Sequence, residues 1–538
     1  MSVLPDWCEP LLDAPQMRVV DQWAIEERGI PSLELMERAG EGVARAVESI
    51  SRDGALAVVC GKGNNGGDGL VVARLLRHAA REVSVVCVAE PAELSPDARA
   101  NLECLPGEPP LRFGLPSARE AIEQADVIVD ALLGTGFSGV PHGVLAEAIE
   151  LVNAAPARVL SVDVPSGVDA STGIVAGVAV EAQQTVSFHV GKPGLWIHPG
   201  KDCAGDVITI EIGIPRGAPA ASDIGLICGG VLGELPRRAS GSTKFTSGHV
   251  VVVGGSRGLS GAPAMASLAA MRAGAGYVTA CVPESLRAVL DVQLMEVMTR
   301  GLPEERGALT LEGLAEALES LQRAGALALG PGLGRDPRSV SFACELAREA
   351  KVALVLDADG LNAHAGCLGE LSSRDAPTVL TPHAGELARL LDIDSEQVQR
   401  ERLAHARAAA EQAGAVVVLK GDDTLVVEPA GRVAISRGHS PALATAGTGD
   451  VLTGTIAALL AQDMDAFTAA AAGVYMHAQA GRDASHRQGA PEGVIATDVI
   501  AMLPLARVPA GERRGPRRRV GAPGRAARAD GRGKARRS

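Results

Sequence analysis

Residues 444–454 read Ala-Thr-Ala-Gly-Thr-Gly-Asp-Val-Leu-Thr-Gly. The small-residue turn Gly447-Thr448-Gly449 runs into an apolar stretch, residues 451–460, with the character of a buried helix. The first backbone N–H groups of a helix lack internal partners and carry the positive end of its dipole. Glycine lets such a turn come close to a phosphate. Asp450 stands against this pattern, because a carboxylate repels a phosphate. It makes chemical sense as a base that takes the proton of a hydroxyl attacking a phosphoryl group, while the N–H groups hold the developing charge. The alternative is an Asp that only caps its helix.

A second polar constellation lies in the first half. A short apolar run, residues 55–60, feeds Gly61-Lys62-Gly63-Asn64-Asn65-Gly66-Gly67-Asp68-Gly69, after which a helix is expected from about Leu70. Gly61, Gly63 and Gly66 match the dinucleotide fingerprint in a strand–turn–helix context, and Glu90 after the next strand is placed to serve as a ribose-binding acid. Asn64, Asn65 and Asp68 also supply hard oxygens, which suit a cation or sugar hydroxyls as well as a phosphate. Asp130 ends another apolar run and precedes Gly134-Thr135-Gly136-Phe137-Ser138-Gly139-Val140; Asp163 and Ser166 follow the run Arg158–Val162. An Asp at a strand end also reads as a loop cap. Several converging beside two Gly-rich loops point to a ligand at the carboxyl edge of an open parallel sheet.

These side chains need a scaffold, and the totals bound it. At 538 residues the chain exceeds one core, so two or more domains are expected. Aromatic content of 2% means that cores must be built from Ala, Val and Leu. No run of about 18 apolar residues suggests a membrane span, and the N-terminus lacks the basic-then-apolar pattern of a secretion signal. Nine scattered cysteines without a Cys-x-x-Cys fit reduced thiols in a cytoplasm. Residues 505–538 carry eleven Arg and one Lys against Glu512 and Asp530, a net +10, within a chain of net charge −13, so the remainder carries −23. The basic, Gly/Pro/Ala-rich end, residues 506–538, reads as a disordered tail. The acidic body argues against a nucleic-acid enzyme.

Residues 17–50 show helical spacing broken at Gly29-Ile30-Pro31-Ser32, with Ser32 as a cap, so two helices are expected before the first strand. Short buried strands then alternate with helices to the end of the second half: residues 83–88, 126–130, Arg158–Val162, His249–Val253, 276–282, Ala326–Leu329, 352–356, Thr378–Leu380 and 415–419. Such alternation gives α/β domains with mainly parallel sheets covered by helices on both faces. A Pro/Ala/Gly stretch, residues 213–221, reads as a linker. In the second half the polar clusters again fall at strand ends: Gly330 to Gly334, Asp357 and Asp359, His383, and Lys420 to Asp423. Each has a plain reading as a tight turn, a helix cap (His383 beside the helix from Ala384), or a Lys420 paired with Asp422 or Asp423.

Residues 25–40, the Asn-Asn-Gly-Gly-Asp-Gly loop and the Val-Asp-Val-Pro-Ser-Gly-Val-Asp stretch resemble the NAD(P)H-hydrate epimerase (YjeF N-terminal) domain. The resemblance implies a Rossmann-like domain over residues 1–218. It implies a substrate pocket lined by Asn64, Asn65, Gly66, Gly67, Asp68, Gly134, Thr135, Gly136, Phe137, Ser138, Gly139, Val140 and Asp163. It further implies a potassium ion on Asn65, Asp130 and Ser166, and Asp163 as the acid/base that interconverts the R and S hydrates at C6 of the nicotinamide ring.

The runs Val-Val-Gly-Gly-Ser-Arg-Gly, Gly-Pro-Gly-Leu-Gly, Asp-Ala-Asp-Gly-Leu-Asn, Thr-Pro-His-Ala-Gly-Glu, Leu-Lys-Gly-Asp-Asp-Thr and Thr-Ala-Gly-Thr-Gly-Asp-Val-Leu resemble the ribokinase-like ADP- or ATP-dependent NAD(P)H-hydrate dehydratase family, over residues 225–505. The Ser-Thr-Lys-Phe-Thr-Ser-Gly run at 242–248 departs from that family's tighter Lys-Gly-x-x-Gly. By position, Asp450 becomes the base on the hydrate's 6-hydroxyl, and Gly447, Thr448 and Gly449 the anion hole, with Gly449 also touching nucleotide. Lys420, Gly421, Asp422, Asp423 and Thr424 bind the adenylate part, and Ala264, Gly332 and His383 contact the hydrate. Magnesium accompanies the nucleotide, and kinship with fused proteins of this kind implies ADP. The resemblance also implies a homo-oligomer acting on NADHX and NADPHX.

The two resemblances together imply a bifunctional repair enzyme: one half epimerises the hydrates, the other dehydrates the S form to NAD(P)H, leaving AMP and phosphate. Two other readings compete. An NAD-dependent oxidoreductase fused to a small-molecule kinase fits the Gly61 fingerprint, but no hydride-transfer acid/base pair accompanies it. A non-catalytic nucleotide sensor is opposed by the presence of both Asp163 and Asp450.

Overall fold

The computed structural model describes residues 4–438, 440–509 and 511; the basic tail lies outside them. The chain opens with strand β1 (Cys8–Leu11). A first group follows: β2 (Leu56–Cys60), β3 (Val83–Cys87), β4 (Leu111–Arg112), β5 (Val127–Ala131), β6 (Arg158–Val162), β7 (Gln184–Phe188) and β8 (Asp206–Ile210). They form one seven-stranded sheet in the order β4-β3-β2-β5-β6-β7-β8, parallel throughout. The order reverses between β2 and β5, and in an open parallel sheet the crevice beyond such a reversal accepts ligands.

The second group is β9 (Ile224–Ile227), β10 (His249–Val253), β11 (Tyr277–Pro283), β12 (Met298–Leu302), the small hairpin β13 (Glu304–Glu305) and β14 (Ala308–Leu309), β15 (Ala326–Leu329), β16 (Ala353–Leu356), β17 (Thr378–Leu380), β18 (Val416–Leu419), β19 (Leu425–Val427) and β20 (Val433–Ile435). With β1 they build an eleven-stranded sheet in the order β1-β9-β20-β19-β18-β17-β16-β15-β10-β11-β12. The block from β12 to β18 is parallel and reverses between β10 and β15.

The cores follow from strand periodicity. Val250 and Val252 enter one apolar cluster while Val251 and Val253 enter the cluster on the other face. Val58 and Cys60 are likewise separated from Ala57 and Val59 in the first sheet. Small side chains let layers approach closely. The helix Thr448–Leu460 lies on the helix Gly261–Ala273, and a Cβ at Gly454 would overlap the Ala266 carbonyl oxygen.

Both sheets and the alternation agree with the sequence reading, but several elements differ from it. Residues 8–11 form a strand, not a lead-in to helices, and although they lie within residues 1–218 they pair antiparallel with β9 of the second sheet. A four-residue edge strand containing Pro10 carries too little pattern to be seen locally. β7 and β8 were also not expected. Ser32 begins its helix rather than capping it; the preceding helix, Ala14–Gln22, is capped by Asp13 through a box with Gln16. The helix expected from Leu70 begins at Asn64. Glycines argue for a turn on propensity, yet here they are in the helix because it lies against the sheet: a Cβ at Gly66 would overlap the Gly61 carbonyl oxygen. Residues 213–221 fall between β8 and β9, outside both sheets.

Candidate functional site

At the β2/β5 reversal lies a cavity of about 730 Å³. Its wall includes Asn64, Asn65, Asp68, Gly134, Thr135, Gly136, Phe137 and Asp163. Of the other expected residues, Gly66 and Gly67 are buried beneath the helix start, and Ser138, Gly139 and Val140 lie beyond the lining, with Val140 exposed. Glu90 takes no part: it pairs with Arg112 at 2.7 Å.

Asp163 follows β6 with φ +67°, a conformation that costs a non-glycine residue free energy. Its Oδ1 meets Lys192 Nζ at 2.6 Å, and its Oδ2 accepts from Thr135 N at 3.1 Å and from the Thr135 hydroxyl. Lys192 is almost fully enclosed and also donates to Ser187 Oγ (3.1 Å) and the Phe188 carbonyl (2.9 Å). Burial by itself would raise the Asp163 carboxyl, but Lys192 and Thr135 outweigh burial and hold it below the usual carboxylate range. Asp68 is moved the other way, well above its usual value, by burial and then by the Asp163 and Asp21 carboxylates. Asp21, on the Ala14–Gln22 helix, is raised to about 6, chiefly by burial. One cavity therefore holds a fixed anion, Asp163, and two carboxyls, Asp68 and Asp21, shifted toward the protonated form.

Lys192 and Asp21 were missed in the sequence. Lys192 follows the unrecognised strand β7. Asp21 had only its helical phase, which places it one residue after Val20 and off the apolar stripe.

Asp130 is fully buried. It accepts from Ser166 Oγ (2.6 Å), Ser166 N (2.9 Å), Ser161 Oγ (2.8 Å) and Leu132 N (3.2 Å). Burial still raises its carboxyl, and no ion-pair partner faces it among the described residues. A Cβ on Gly134 would sit 2.9 Å from Asn65 Oδ1 and Ser166 Oγ accepts from Leu133 N at 2.8 Å, so Asn65 and Ser166 both border the Leu133–Gly134 turn. A buried carboxylate beside neutral oxygens, without Lys or Arg, fits a hard cation of single charge.

The second site sits at the β10/β15 reversal and along the carboxyl edge to β18. Gly447 has φ +89° and turns the chain into the helix Thr448–Leu460. Asp450 thus lies in the first turn, earlier than the expected start at Val451. The N–H groups of Thr448, Gly449 and Asp450 have no acceptor among the described residues, and Val451 N is the first to bond back, to the Gly447 carbonyl at 3.2 Å. Met265, next to Ala264, lies against the Gly447 turn; a Cβ there would be 2.5 Å from Met265 Sδ. Gly332, with φ +64°, is close to Leu259 and Ala262, and its carbonyl accepts from Ser256 Oγ at 2.9 Å.

Asp450 is half-buried and its carboxylate accepts no hydrogen bond among the described residues, so it does not cap its helix. Burial and the Asp357 carboxylate raise it to about 7, against the opposing pull of Lys420. Lys420 does not pair with Asp422 or Asp423. It reaches Asp357 at 3.0 Å and Glu386 at 3.6 Å. Asp357 also accepts from Thr381 Oγ1 (2.8 Å) and Thr453 Oγ1 (2.7 Å). Burial would lower Lys420, but Asp357 and Glu386 raise it, so it stays cationic beneath Gly449. Asp357 and Glu386 as its partners were not foreseen, because Asp357 and Lys420 follow different strands and Glu386 lies in the first turn of the helix Ala384–Leu391.

His383 does cap the helix Ala384–Leu391, accepting from Gly385 N at 3.0 Å and Glu386 N at 3.3 Å through Nδ1. Burial lowers it, and its other ring edge is half-exposed. In the 420–424 loop, Asp423 is fully buried and bonded to Arg402 (2.8 Å), whereas Thr424 Oγ1 donates to the Gly421 carbonyl at 2.7 Å.

Comparisons with known proteins bear on both sites. The family described as YjeF-related protein N-terminus matches residues 32–194, and the family described as NAD(P)H-hydrate dehydratase matches residues 250–505. A protein of Moorella thermoacetica named bifunctional NAD(P)H-hydrate repair enzyme Nnr is 42% identical over 511 residues, covering 92% of this chain and 96% of the relative. One of the same name from Salinibacter ruber is 40% identical over 532 residues, covering 92% and 96%. Among solved structures, an ADP/ATP-dependent NAD(P)H-hydrate dehydratase from Bacillus subtilis, co-crystallised with ATP and Mg²⁺, is 29% identical over 51% of this chain and 94% of its own, with a TM-score of 0.45. With both domain families matched in one polypeptide and relatives matched over nearly their whole length, the chain belongs to the family of bifunctional NAD(P)H-hydrate repair enzymes.

Proposed function

We propose that the protein epimerises R- and S-NAD(P)HX in its first half, residues 1–218, and dehydrates the S form to NAD(P)H in its second, residues 225–505, consuming ADP and leaving AMP and phosphate. The observation that carries this reading is Asp450: a carboxyl raised to about 7, unpaired, in a helix first turn where the N–H groups of Thr448, Gly449 and Asp450 have no acceptor among the described residues. A base is most effective with a pKa near the working pH. Asp450 takes the proton of the C6 hydroxyl as the hydroxyl oxygen forms its bond to the β-phosphorus of ADP. The bond from that phosphorus to the bridging oxygen breaks, and AMP leaves. The N–H groups of Thr448 and Gly449, with Lys420 behind them, stabilise the charge gathering on the phosphoryl oxygens. The C6–O bond then breaks, phosphate departs as a far better leaving group than hydroxide, and loss of the C5 proton restores the dihydronicotinamide.

The Asp359 carboxylate, close enough to act on Asp450, suits magnesium, which would neutralise the transferring phosphate when bound with the nucleotide. In the first half, Asp163 is the acid/base at C6, held in place by Lys192 and Thr135. Asn65, Asp130 and Ser166 would hold potassium, whose charge would offset that of Asp130. The nine free cysteines support a reducing cytoplasm, no described helix is long and apolar enough to cross a membrane, and family kinship supports a homo-oligomer.

The test is direct. Purified protein with S-NADHX, Mg²⁺ and either ADP or ATP is followed at the NADH absorbance. Formation of NADH, faster with ADP, is expected; no NADH with either nucleotide contradicts the dehydratase reading.

A further inference from the structure

The loop between β18 and β19, residues 420–424, is not shaped by the second half alone. On one side Arg402 holds it, with Nε 2.8 Å from Asp423 Oδ2 and a second nitrogen 3.3 Å from the Lys420 carbonyl. On the other side stands a segment of the first half. His198 N donates to Asp423 Oδ2 at 3.0 Å. Lys201 Nζ donates to the Asp422 carbonyl at 3.3 Å and pairs with its carboxylate. The His198 ring lies with Nδ1 2.8 Å from Asp202 and Nε2 3.9 Å from Asp422. The neighbourhood is tied down further by Arg437, which pairs with Glu9 and lies 5.7 Å over the Trp196 ring.

We propose that Lys201 and His198, borne by the epimerase half, are positioning residues for nucleotide binding in the dehydratase half. The inference rests on reading residues 420–424 as the nucleotide loop. Asp423 is fully buried, so its charge needs fixed partners. Arg402 supplies one and the His198 backbone another. Asp422 is half-exposed and its charge would repel an incoming polyphosphate; Lys201 holds both its carbonyl and its carboxylate and compensates that charge. The loop is therefore preset for an anion before the anion arrives, which reduces the ordering cost of binding.

The test uses the full-length chain. The KM for ADP, the dehydratase kcat and the epimerase rate are measured for wild type, Lys201→Ala, Lys201→Arg and Lys201→Ala/His198→Ala, alongside amide hydrogen exchange of residues 420–424 with and without ADP. In wild type, ADP slows exchange in that loop. Lys201→Ala raises the KM for ADP about fivefold, as expected for loss of one partly exposed ion pair, and the double variant raises it further. The kcat stays within about twofold in both and the epimerase rate is unchanged, which shows that the variants fold. Lys201→Arg restores most of the affinity. Slowed exchange in the loop with an unchanged KM in both Ala variants overturns the inference while leaving the nucleotide loop intact. Exchange in the loop that ADP does not alter overturns the nucleotide-loop reading, and the inference with it.

Discussion

Two carboxylates at strand ends are set to opposite extremes by their surroundings. Asp163 is paired and ionised, whereas Asp450 is unpaired and titrates near neutrality. For Asp450 the activity consequence is simple: the base must be ionised, so dehydratase kcat/KM falls about tenfold per pH unit below about 7 and levels off above it. The stability consequence has the opposite sign. Its pKa in the folded protein exceeds that of the unfolded chain, so the folded state keeps a proton the unfolded one has lost. Its contribution to stability is therefore present in acid and lost as pH rises through about 7. Asp450→Asn should raise Tm at pH 8 relative to wild type, raise it less at pH 5 and change it little below about pH 4, by calorimetry. At the other site, Lys192→Met leaves Asp163 charged, buried and unpaired. It should cost about 3–5 kcal/mol in denaturant unfolding and lower epimerase activity at least a hundredfold, whereas Asp163→Asn/Lys192→Met should recover stability but not activity.

At the scale of elements, glycines decide where the two site helices begin. Both start earlier than their apolar runs, so that Asn65, and likewise Asp450, comes from a helix first turn, and Asp68 from the turn that follows, not from loops. Gly66→Ala would place a methyl group into the Gly61 carbonyl. It should cost about 1–3 kcal/mol and impair epimerisation with little effect on dehydration, as separate assays would show. Gly454→Ala meets the Ala266 carbonyl in the same way and should reverse the pattern. The apolar runs made the strands of the parallel blocks legible except β4, β7, β8 and β12, together with the two sheet edges that carry Asp130 and Asp163, and His383 and Lys420. What stayed hidden depends on long-range contact. β7 carries Gln184, Thr185 and Ser187 among its five residues, so its burial is not written in its composition. Lys192 became meaningful only once β7 set it against Asp163, and Lys420 only once Asp357 and Glu386 were brought to it. The His383 cap, by contrast, was readable from its place beside the helix start.

The whole molecule joins its halves by exchange of an edge. β1, although it lies at the start of the chain, extends the second sheet through β9, and Arg407 pairs with Asp223 at 2.7 Å close by. Deleting residues 1–12 should therefore lower the thermal stability of the dehydratase half, read as loss of dehydratase activity on heating, before that of the epimerase half. Fusion also places both steps on one polypeptide, so that R hydrate formed beside S hydrate is returned to the step that consumes it.

In the proposed dehydration everything depends on Asp450 as the group that removes the hydroxyl proton. The most direct measurement is single-turnover conversion of S-NADPHX with ADP and Mg²⁺ by wild type and Asp450→Asn, with ADP affinity measured in parallel. The account predicts a rate at least about a thousandfold lower for the variant with ADP affinity unchanged or tighter. A variant that turns over within tenfold of wild type, with the same fall in rate below pH 7, would contradict it.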